Sequence, residues 1–508
     1  QQAKELLESV RGTPLSRQER VEKAISLAAS LLRISLDIET SAEKQLRNQL
    51  GHMVEDPKGK AFTVALCDQS FRSHNPARIA DQIRSLIHEY GVPSYLTLDK
   101  RLALKGFAAA GNFCPSITVP LIKEMVQAQV AHLILPGEEI PLTEFLQSAN
   151  HMRIKINLNR IGEAILGEDT AKVRMEQYLR DIQDIHIPCM SIKISTLYSQ
   201  IQLQDWEETL AELTKRLKIL YRAILARPSS HPLFLNLDME EFRDLELTKT
   251  LFQNTLSDPE FHTLSAGIAL QSYIPDSFAI QKALSAWAEQ RRQAGGAPIK
   301  IRLVKGANLA MESYESALKN WPQAPYATKS QADANYKRML EFGLTGEHPK
   351  AVHLGVASHN LFDVSYALIL QHEFECFQEV EWEMLRGMSG SLGRAVQELA
   401  GTLLYYSPVA GKKEFEYAIP YLVRRFDENS APENFLRSSF HLTLDSPAWK
   451  EQVEAFQKAC AMVDQLDDTS HRTQNRLYSP PLLKDGLFQN EPDTDWTLAP
   501  NRLFAKEI

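Results

Sequence analysis

The chain has 508 residues, 44% of them hydrophobic, more than one compact domain usually needs and enough for a barrel of about 250 to 300 residues with additions. Its 56 basic and 64 acidic residues give a formal charge of -8 with no long Lys/Arg run, which argues against a nucleic-acid partner and for a small molecule. The five cysteines (Cys67, Cys114, Cys189, Cys376, Cys460) lack any CxxC pairing, so neither a disulfide framework nor a metal site is expected, and a reducing cytosol fits.

The opening QQAKELLESVRG lacks the basic-then-apolar order of a secretory signal. No apolar run approaches the roughly 18 residues that cross a bilayer, so the expected protein is soluble or only peripherally attached. No short repeat or low-complexity block stands out.

Up to about residue 150 the signals are helical. Val21 to Leu36 carries apolar residues at helix spacing, and Ile79 to Tyr90 does so before Gly91 and Pro93 end it. We read residues 1–150 as a helical arm domain. From residue 151 short β-rich runs alternate with amphipathic helices, the pattern of parallel strands joined by crossovers. The predicted strands are Ile154 to Leu158, Ser191 to Ser195, Leu233 to Asp238, Gly267 to Gln271, Ile299 to Lys305, Ala351 to Ala357, Val380 to Leu385 and Thr402 to Tyr406. Helices are expected over Asp169 to Asp184, Trp206 to Ala226, Phe242 to Leu256, Ser277 to Gln293 and Ala332 to Phe342. Eight strands imply an α/β fold, a distorted (β/α)8 TIM-like barrel over residues 151–440. A last helix, Ile419 to Asp427, would carry Pro420 in its first turn. Residues 441–508 read as a helix and a linker, since Ser479-Pro-Pro and the acidic run Asn490 to Pro500 have linker composition.

In such a barrel, chemistry sits where strands end. The residues there include Lys193, Asp238, Gln271, Arg302, Lys305, Ser358-His359-Asn360, Glu383 and Tyr406. Burying so many polar groups at one rim costs several kcal/mol unless they pair or bind a polar ligand. Taken singly each has a plainer reading. Lys193, Lys305 and Asp238 can be structural ion-pair partners, Asn360 can cap a helix, and Gly306-Ala307 can mark a turn. In YLVRRFDEN, Glu428 lies four residues from Arg424 and three from Arg425, so one carboxylate can steady both guanidinium groups, either as a solvated cluster or as a bidentate grip on a small carboxylate. The residues alone lead to a barrel enzyme with an anionic substrate and a cofactor.

The stretches SIKIS, LNLDMEE, IALQSYIPDS, IRLVKGAN, DANYKRML, ASHN, EMLRGM, YSPV and YLVRRFDEN occur here in one order over about residues 150 to 430. In them the sequence resembles the proline dehydrogenase module of bifunctional bacterial proline utilisation A proteins. NEPDTDWTLAPNR resembles the passage that leads into the aldehyde dehydrogenase module of that family, so a first half of a longer enzyme is expected, with that module as a partner in the full-length chain.

The resemblance implies FAD-dependent oxidation of L-proline to Δ1-pyrroline-5-carboxylate, hydride passing to flavin N5 and electrons to a quinone. By motif match, Lys193, Arg424 and Arg425 would hold the proline carboxylate, Asp238 would pair with Lys193, and Leu385, Tyr406 and Tyr421 would wall the ring. Arg302 would lie near N5, and Val304, in the same strand, would contact the cofactor. Gln271, Ser358, His359 and Asn360 would contact other parts of the cofactor, Lys305, Gly306, Ala307, Thr328 and Lys329 its ring and phosphates, and Arg425 and Glu428 its remaining side. Many relatives carry an aromatic residue after Lys-Gly-Ala, where this chain has Asn308. Tyr406 favours proline over 4-hydroxyproline, and nothing in the first 60 residues resembles a DNA-binding segment. Two rivals stand beside this reading: an aldolase using Lys193 or Lys305 as a Schiff-base nucleophile, and a non-enzymatic docking module.

Overall fold

The structure, a computed structural model, describes every residue except 71, 72, 74, 111, 112, 131, 132, 153, 162–164, 412–417, 419, 420, 422–430, 432, 433, 479–489 and 508, and except the side chains of 67, 68, 110 and 126–130. A short strand, β1 (Leu135–Pro136), precedes β2 (Ile154–Arg160), β3 (Cys189–Ile192), β4 (Phe234–Leu237), β5 (Gly267–Gln271), β6 (Ile299–Val304), β7 (Val352–Ala357), β8 (Val380–Leu385) and β9 (Leu403–Ala410). All pair in parallel, and β9 bonds to both β8 and β2, so β2 to β9 close an eight-stranded barrel while β1 adds to the end of β9. Helices between the strands cover its outside, among them Glu168–Gln183, Trp206–Leu225, Phe242–Leu256, Asp276–Gln293 and Lys329–Leu344. The α/β barrel read from the sequence is the observed fold.

Strand alternation separates two environments. In β6, Ile299, Ile301 and Leu303 are buried in the apolar layer beneath the helices, while Lys300 and Arg302 are equally buried on the other side of the strand. In β8, Trp382 and Met384 join the apolar layer, and Glu381 and Glu383 take the interior. The barrel interior is therefore lined with ions in place of the branched apolar layers usual in this architecture. Gly355 of β7 makes room for them, because a Cβ there would lie 2.5 Å from Glu383 Oε1 and 3.2 Å from Arg302 Cα.

β3 and β9 differ most in extent from the sequence expectation. β3 stops at Ile192, and the short helix Ile194–Leu197 follows at once, so Lys193 caps the strand's exit instead of lying within it. β9 runs four residues past Tyr406 in spite of Pro408. Pairing with β8 ends at Tyr406, so the missing N–H of Pro408 falls where that neighbour no longer needs a donor.

The N-terminal helices use two separate cores. Gln2–Val10 and Arg17–Asp37, which contains the predicted Val21 to Leu36, bury Leu7, Leu27 and Leu31 in the same cluster as the barrel. A capping box starts the second helix, Ser16 accepting from the Glu19 N–H and Glu19 accepting from the Ser16 N–H. Pro57–Gln69, Pro76–Tyr90, Leu98–Ala110 and Pro115–Val130 instead enclose Phe62, Ile79, Ile83, Leu86 and Phe107 in a core of their own. Pro76–Tyr90 starts on Pro and stops at Gly91, as the sequence indicates for Ile79 to Tyr90.

The C-terminal region is packed against the barrel. Pro447–Met462 buries Trp449, Phe456 and Cys460. The run from Asn490, linker-like in composition, places Asp495 in a buried ion pair with Arg472 at 2.8 Å, and Arg472 stands 4.5 Å over the Trp321 ring. A segment poor in apolar residues is fastened here by polar contacts, among them those of Arg476 to Glu491 and Pro492 and of Trp321 Nε1 to the Asp493 carbonyl. Cys114 is exposed and Cys189, Cys376 and Cys460 are buried, all as free thiols. Among the described residues no helix is long and apolar enough to cross a membrane, and no cluster of three His, Cys, Asp or Glu side chains could hold a metal ion.

Candidate active site at the carboxyl ends of the strands

Arg302 is the centre of the barrel interior. Its Nε donates to Glu383 Oε2 at 2.5 Å, and its Nη1 donates to Asp238 Oδ1 at 2.5 Å and to Ser191 Oγ at 3.0 Å. Thus β6 is tied across the lumen to β8, to the exit of β4 and to β3. Lys300, one inward position earlier, donates to Glu381 at 2.6 Å and Glu383 at 2.9 Å, and Lys155 reaches Glu381 at 3.4 Å. Burial alone would lower the Arg302 and Lys300 pKa values, but the neighbouring carboxylates outweigh it and raise both. Three cations face three carboxylates, so this network is balanced. One guanidinium nitrogen, Arg302 Nη2, is buried without a hydrogen-bond partner among the described residues.

Tyr406 closes the top of this layer. Its hydroxyl donates to Asp238 Oδ2 at 2.7 Å, and its ring faces the Arg302 guanidinium at 5.3 Å. Burial, then Asp238, then Tyr421 push the Tyr406 hydroxyl well above the usual phenol range, so it remains a donor. Leu385 lies opposite Tyr406 in the β8–β9 register, and its backbone N–H donates to His359 Nε2 at 2.9 Å. That bond places the proton of neutral His359 on Nδ1, which is buried without a partner among the described residues, and burial lowers this imidazole to about 4. The neighbouring Asn360 side chain accepts from the Phe362 and Asp363 N–H groups and caps Leu361–Glu373, while Ser358 Oγ accepts from the Asn360 N–H.

A second charged cluster begins at the exit of β6. Lys305 donates to Asp333 Oδ1 at 2.6 Å and pairs with Asp363 Oδ2 at 2.6 Å. Lys337 donates to Asp363 Oδ1 at 2.7 Å, and Lys329 pairs with Asp333 Oδ2. Here three ammonium groups face two carboxylates. Burial would raise the Asp333 and Asp363 carboxyls, yet the lysines overcome it and hold both below the usual range. Burial and then the Lys305 charge lower Lys329, which marks it as the surplus cation. Thr328 caps the helix Lys329–Leu344 through a capping box with Gln331, so a helix N-terminus adds its dipole beside that lysine. Gly306 has φ +119°, and a Cβ there would meet the Tyr273 ring at 2.3 Å, so only glycine fits between Lys305 and Ala307.

The family model for proline dehydrogenase matches residues 143–438. The chain belongs to the proline dehydrogenase family. Its sequence is 26% identical over 370 residues to the bifunctional protein PutA of Salmonella typhimurium, covering 67% of this chain and 26% of that protein. Among solved structures it is similar to proline utilization A from Corynebacterium freiburgense, at 35% identity and TM-score 0.66, covering 82% of this chain and 39% of that one. Proline utilization A from Bdellovibrio bacteriovorus, inactivated by N-propargylglycine, shares the fold at TM-score 0.72 and 23% identity, covering 95% of this chain and 47% of that one. This chain thus spans about a quarter of the curated relative and less than half of these two solved ones. It matches the proline dehydrogenase module of those proteins.

Within this proline dehydrogenase fold, Lys193, Asp238, Gln271, Val304, Lys305, Gly306, Ala307, Ser358, His359, Asn360 and Leu385 fall at or just past the ends of strands, Arg302 lies two residues before the end of β6, and Tyr406 lies inside β9, four residues before its end. Lys329 joins them through Asp333, and Thr328 caps its helix through Gln331. Arg424, Arg425 and Glu428, with most of the predicted helix Ile419 to Asp427, lie outside the described residues. One predicted pairing is corrected: Lys193 bonds to Glu240 at 2.5 Å and not to Asp238, whose two oxygens are engaged by Arg302 and Tyr406. The motif LNLDMEE offers three carboxylates after one strand, and spacing alone does not say which reaches β3. Sequence reasoning also missed Asp333, Asp363 and Lys337; the (i, i+4) spacing of Asp333 and Lys337 in DANYK was the available signal.

Proposed function

We propose that the chain oxidises L-proline to Δ1-pyrroline-5-carboxylate with FAD as cofactor, hydride going to flavin N5 and electrons onward to a quinone, as the first step of proline catabolism to glutamate. The observation that carries this reading is the surplus ammonium group beside Thr328 and Gly306, which calls for an anion at the mouth of a barrel whose own interior charges are balanced. The cofactor fits what the residues offer. Arg302 Nη2 and His359 Nδ1 are buried donors without partners among the described residues, and both suit the acceptor-rich face of an anionic flavin nucleotide. When bound, FAD supplies the hydride acceptor.

The chain's own groups bind and orient. Lys305, Lys329 and the helix capped by Thr328 would hold phosphate oxygens, and Gly306 and Ala307 let the backbone approach. Arg302 keeps a permanent positive charge at the centre of the lumen, fixed by Glu383 and Asp238. Lys193, with Arg424 and Arg425, would take the substrate carboxylate, while Leu385, Tyr406 and Tyr421 wall its ring and exclude water. Gln271, Ser358, Asn360 and Glu428 are proposed to complete the cofactor's surroundings. We retain the division into arm (1–150), barrel (151–440) and tail (441–508), with an aldehyde dehydrogenase partner module, cytoplasmic location and peripheral membrane encounter, as parts of the same reading.

The aldolase alternative is disfavoured by the lysines themselves. A Schiff-base nucleophile needs a depressed pKa, whereas Asp333 and Asp363 outweigh burial and raise Lys305, and Lys193 is engaged by Glu240. The test is to purify the chain with its flavin and add L-proline without oxygen. Bleaching of the flavin absorbance is expected; a protein that takes up FAD yet stays oxidised would overturn the substrate assignment.

A further inference from the structure

Glu240 follows β4 by three residues and touches the exits of three other strands. Its carboxylate is divided between Lys193 Nζ, which donates to Oε1 at 2.5 Å, and Ser195 Oγ, which donates to Oε2 at 2.7 Å. Both donors follow β3. Its backbone carbonyl accepts from Gln271 Nε2 at 3.1 Å, at the end of β5, and from Asn308 Nδ2 at 2.8 Å, beyond β6. Burial would raise this carboxyl, but Lys193 outweighs it and holds Glu240 below the usual range, so it is ionised.

A lysine ammonium on a four-carbon stem cannot define a carboxylate site unless its direction is fixed. Asp238 is not free to fix it, being held by Arg302 and Tyr406. Ser195 occupies the other Glu240 oxygen, so the carboxylate cannot swing with the lysine. Asn308, which stands where many relatives carry an aromatic residue, braces the Glu240 backbone from β6.

We propose that Glu240 is a positioning residue for substrate binding: it aims Lys193 at the substrate carboxylate, and Asn308 and Gln271 hold Glu240 in place. This rests on the reading that Lys193 binds the proline carboxylate. The acidic pair formed after β4 thus divides its work, Asp238 serving the arginine of the lumen and Glu240 the lysine of the rim.

The test is a kinetic double-mutant cycle on the flavin-loaded chain. Glu240→Gln is expected to raise the KM for proline about tenfold with kcat changed less than about threefold, the signature of lost binding. Asn308→Ala should raise KM about threefold. On a Lys193→Met background neither change should raise KM further, because the residue they aim is gone. KM effects of Glu240→Gln and Asn308→Ala that persist undiminished on that background overturn the proposal, as does an unchanged KM in Glu240→Gln. If Glu240→Gln loses its flavin, Asn308→Ala carries the same cycle with the same two outcomes. A wild-type chain whose flavin is not reduced by proline fails on the substrate assignment itself, a result distinct from an active wild type with an additive cycle.

Discussion

The two charged clusters of the barrel share residue types, burial and a common strand, yet their bookkeeping differs. Around Arg302, three cations meet three carboxylates, the third cation being the half-exposed Lys155 at the edge of the lumen; around Lys305, three lysines meet two aspartates just outside it. A balanced buried network can hold its shape without a ligand, because each removed hydration shell is replaced by a partner. An unbalanced one leaves a cation whose charge is costly until an anion arrives, and the downward shift of Lys329 expresses that cost. The first network is a frame that fixes a charge; the second, on the proposed reading, is a receptor for one.

Breaking the frame should have the largest effect. Arg302→Met leaves Glu383 and Asp238 buried without their shared partner, and removing one member of such a network costs about 3–5 kcal/mol. Turnover should fall by about three orders of magnitude as the fixed charge is lost. Arg302→Lys keeps the charge but cannot span Glu383, Asp238 and Ser191 at once, so it should recover stability only partly. Thermal unfolding and proline-dependent flavin reduction measure both. An Arg302→Met variant as stable as the parent would remove the distinction between frame and receptor.

The receptor offers a sharper comparison, because two of its lysines should behave oppositely. Lys337 and Asp363 are both almost wholly inaccessible, and Lys337→Ala leaves Asp363 with Lys305 alone, at a cost of about 3–5 kcal/mol. Lys329 is the surplus charge, so Lys329→Ala should leave the apo-protein melting temperature within about 2 °C. Its FAD dissociation constant should rise about tenfold or more, as expected for one lost charge-assisted contact. Calorimetry of the apo-protein and FAD titration separate the two.

Those contrasts also show which parts of the molecule were legible in the sequence. β5 and β8 were read to the residue because their alternation is bounded by clear breaks, as in Gly267–Gln271 and Val380–Leu385. In IKIRLV the inward Lys300 and Arg302 alternate with outward apolar residues, which announces a strand but not its ionic partners. Partner choice depends on the closure of the barrel, which brings Glu383 beside Arg302 over 81 residues of separation. For the same reason Glu240 could not be told from Asp238 as the partner of Lys193. The folded stretch after Asn490 was hidden because what secures it is a set of polar contacts, the ion pair with Arg472 among them, not an apolar pattern.

The pH dependence of stability should separate His359 from the aspartates of the receptor. The folded imidazole is lowered to about 4 by burial, against about 6.5 when unfolded. Between those values the unfolded chain binds a proton that the folded one does not, so the contribution is full above pH about 6.5 and is lost as pH falls toward 4, by about 3 kcal/mol at most. Asp333 and Asp363 also have lowered folded pKa values, but their unfolded references lie near 4, so their contribution is lost only below that. His359→Gln should flatten the stability curve between about pH 4 and 6.5 and leave the steeper acid loss in place. A parallel curve in the variant would show that the imidazole is not held neutral.

The smallest effect belongs to Tyr406, where the frame meets the proposed substrate pocket. Its hydroxyl donates one bond to Asp238, which keeps Arg302 and the Asn236 amide in any case, at 2.5 and 3.0 Å. Tyr406→Phe therefore removes one buried hydrogen bond of about 1–3 kcal/mol without unbalancing the network. Proline turnover should fall by about tenfold or less, through KM if the ring wall shifts and through kcat if Arg302 does. On the proposed reading of Tyr406 as a ring wall, shortening the side chain should act on selectivity instead. Tyr406→Ser is expected to narrow the preference for proline over 4-hydroxyproline, measured as the ratio of kcat/KM values for the two substrates. An unchanged ratio would place the wall of the pocket elsewhere, with Tyr406 acting only through Asp238 on the charge at the centre of the barrel.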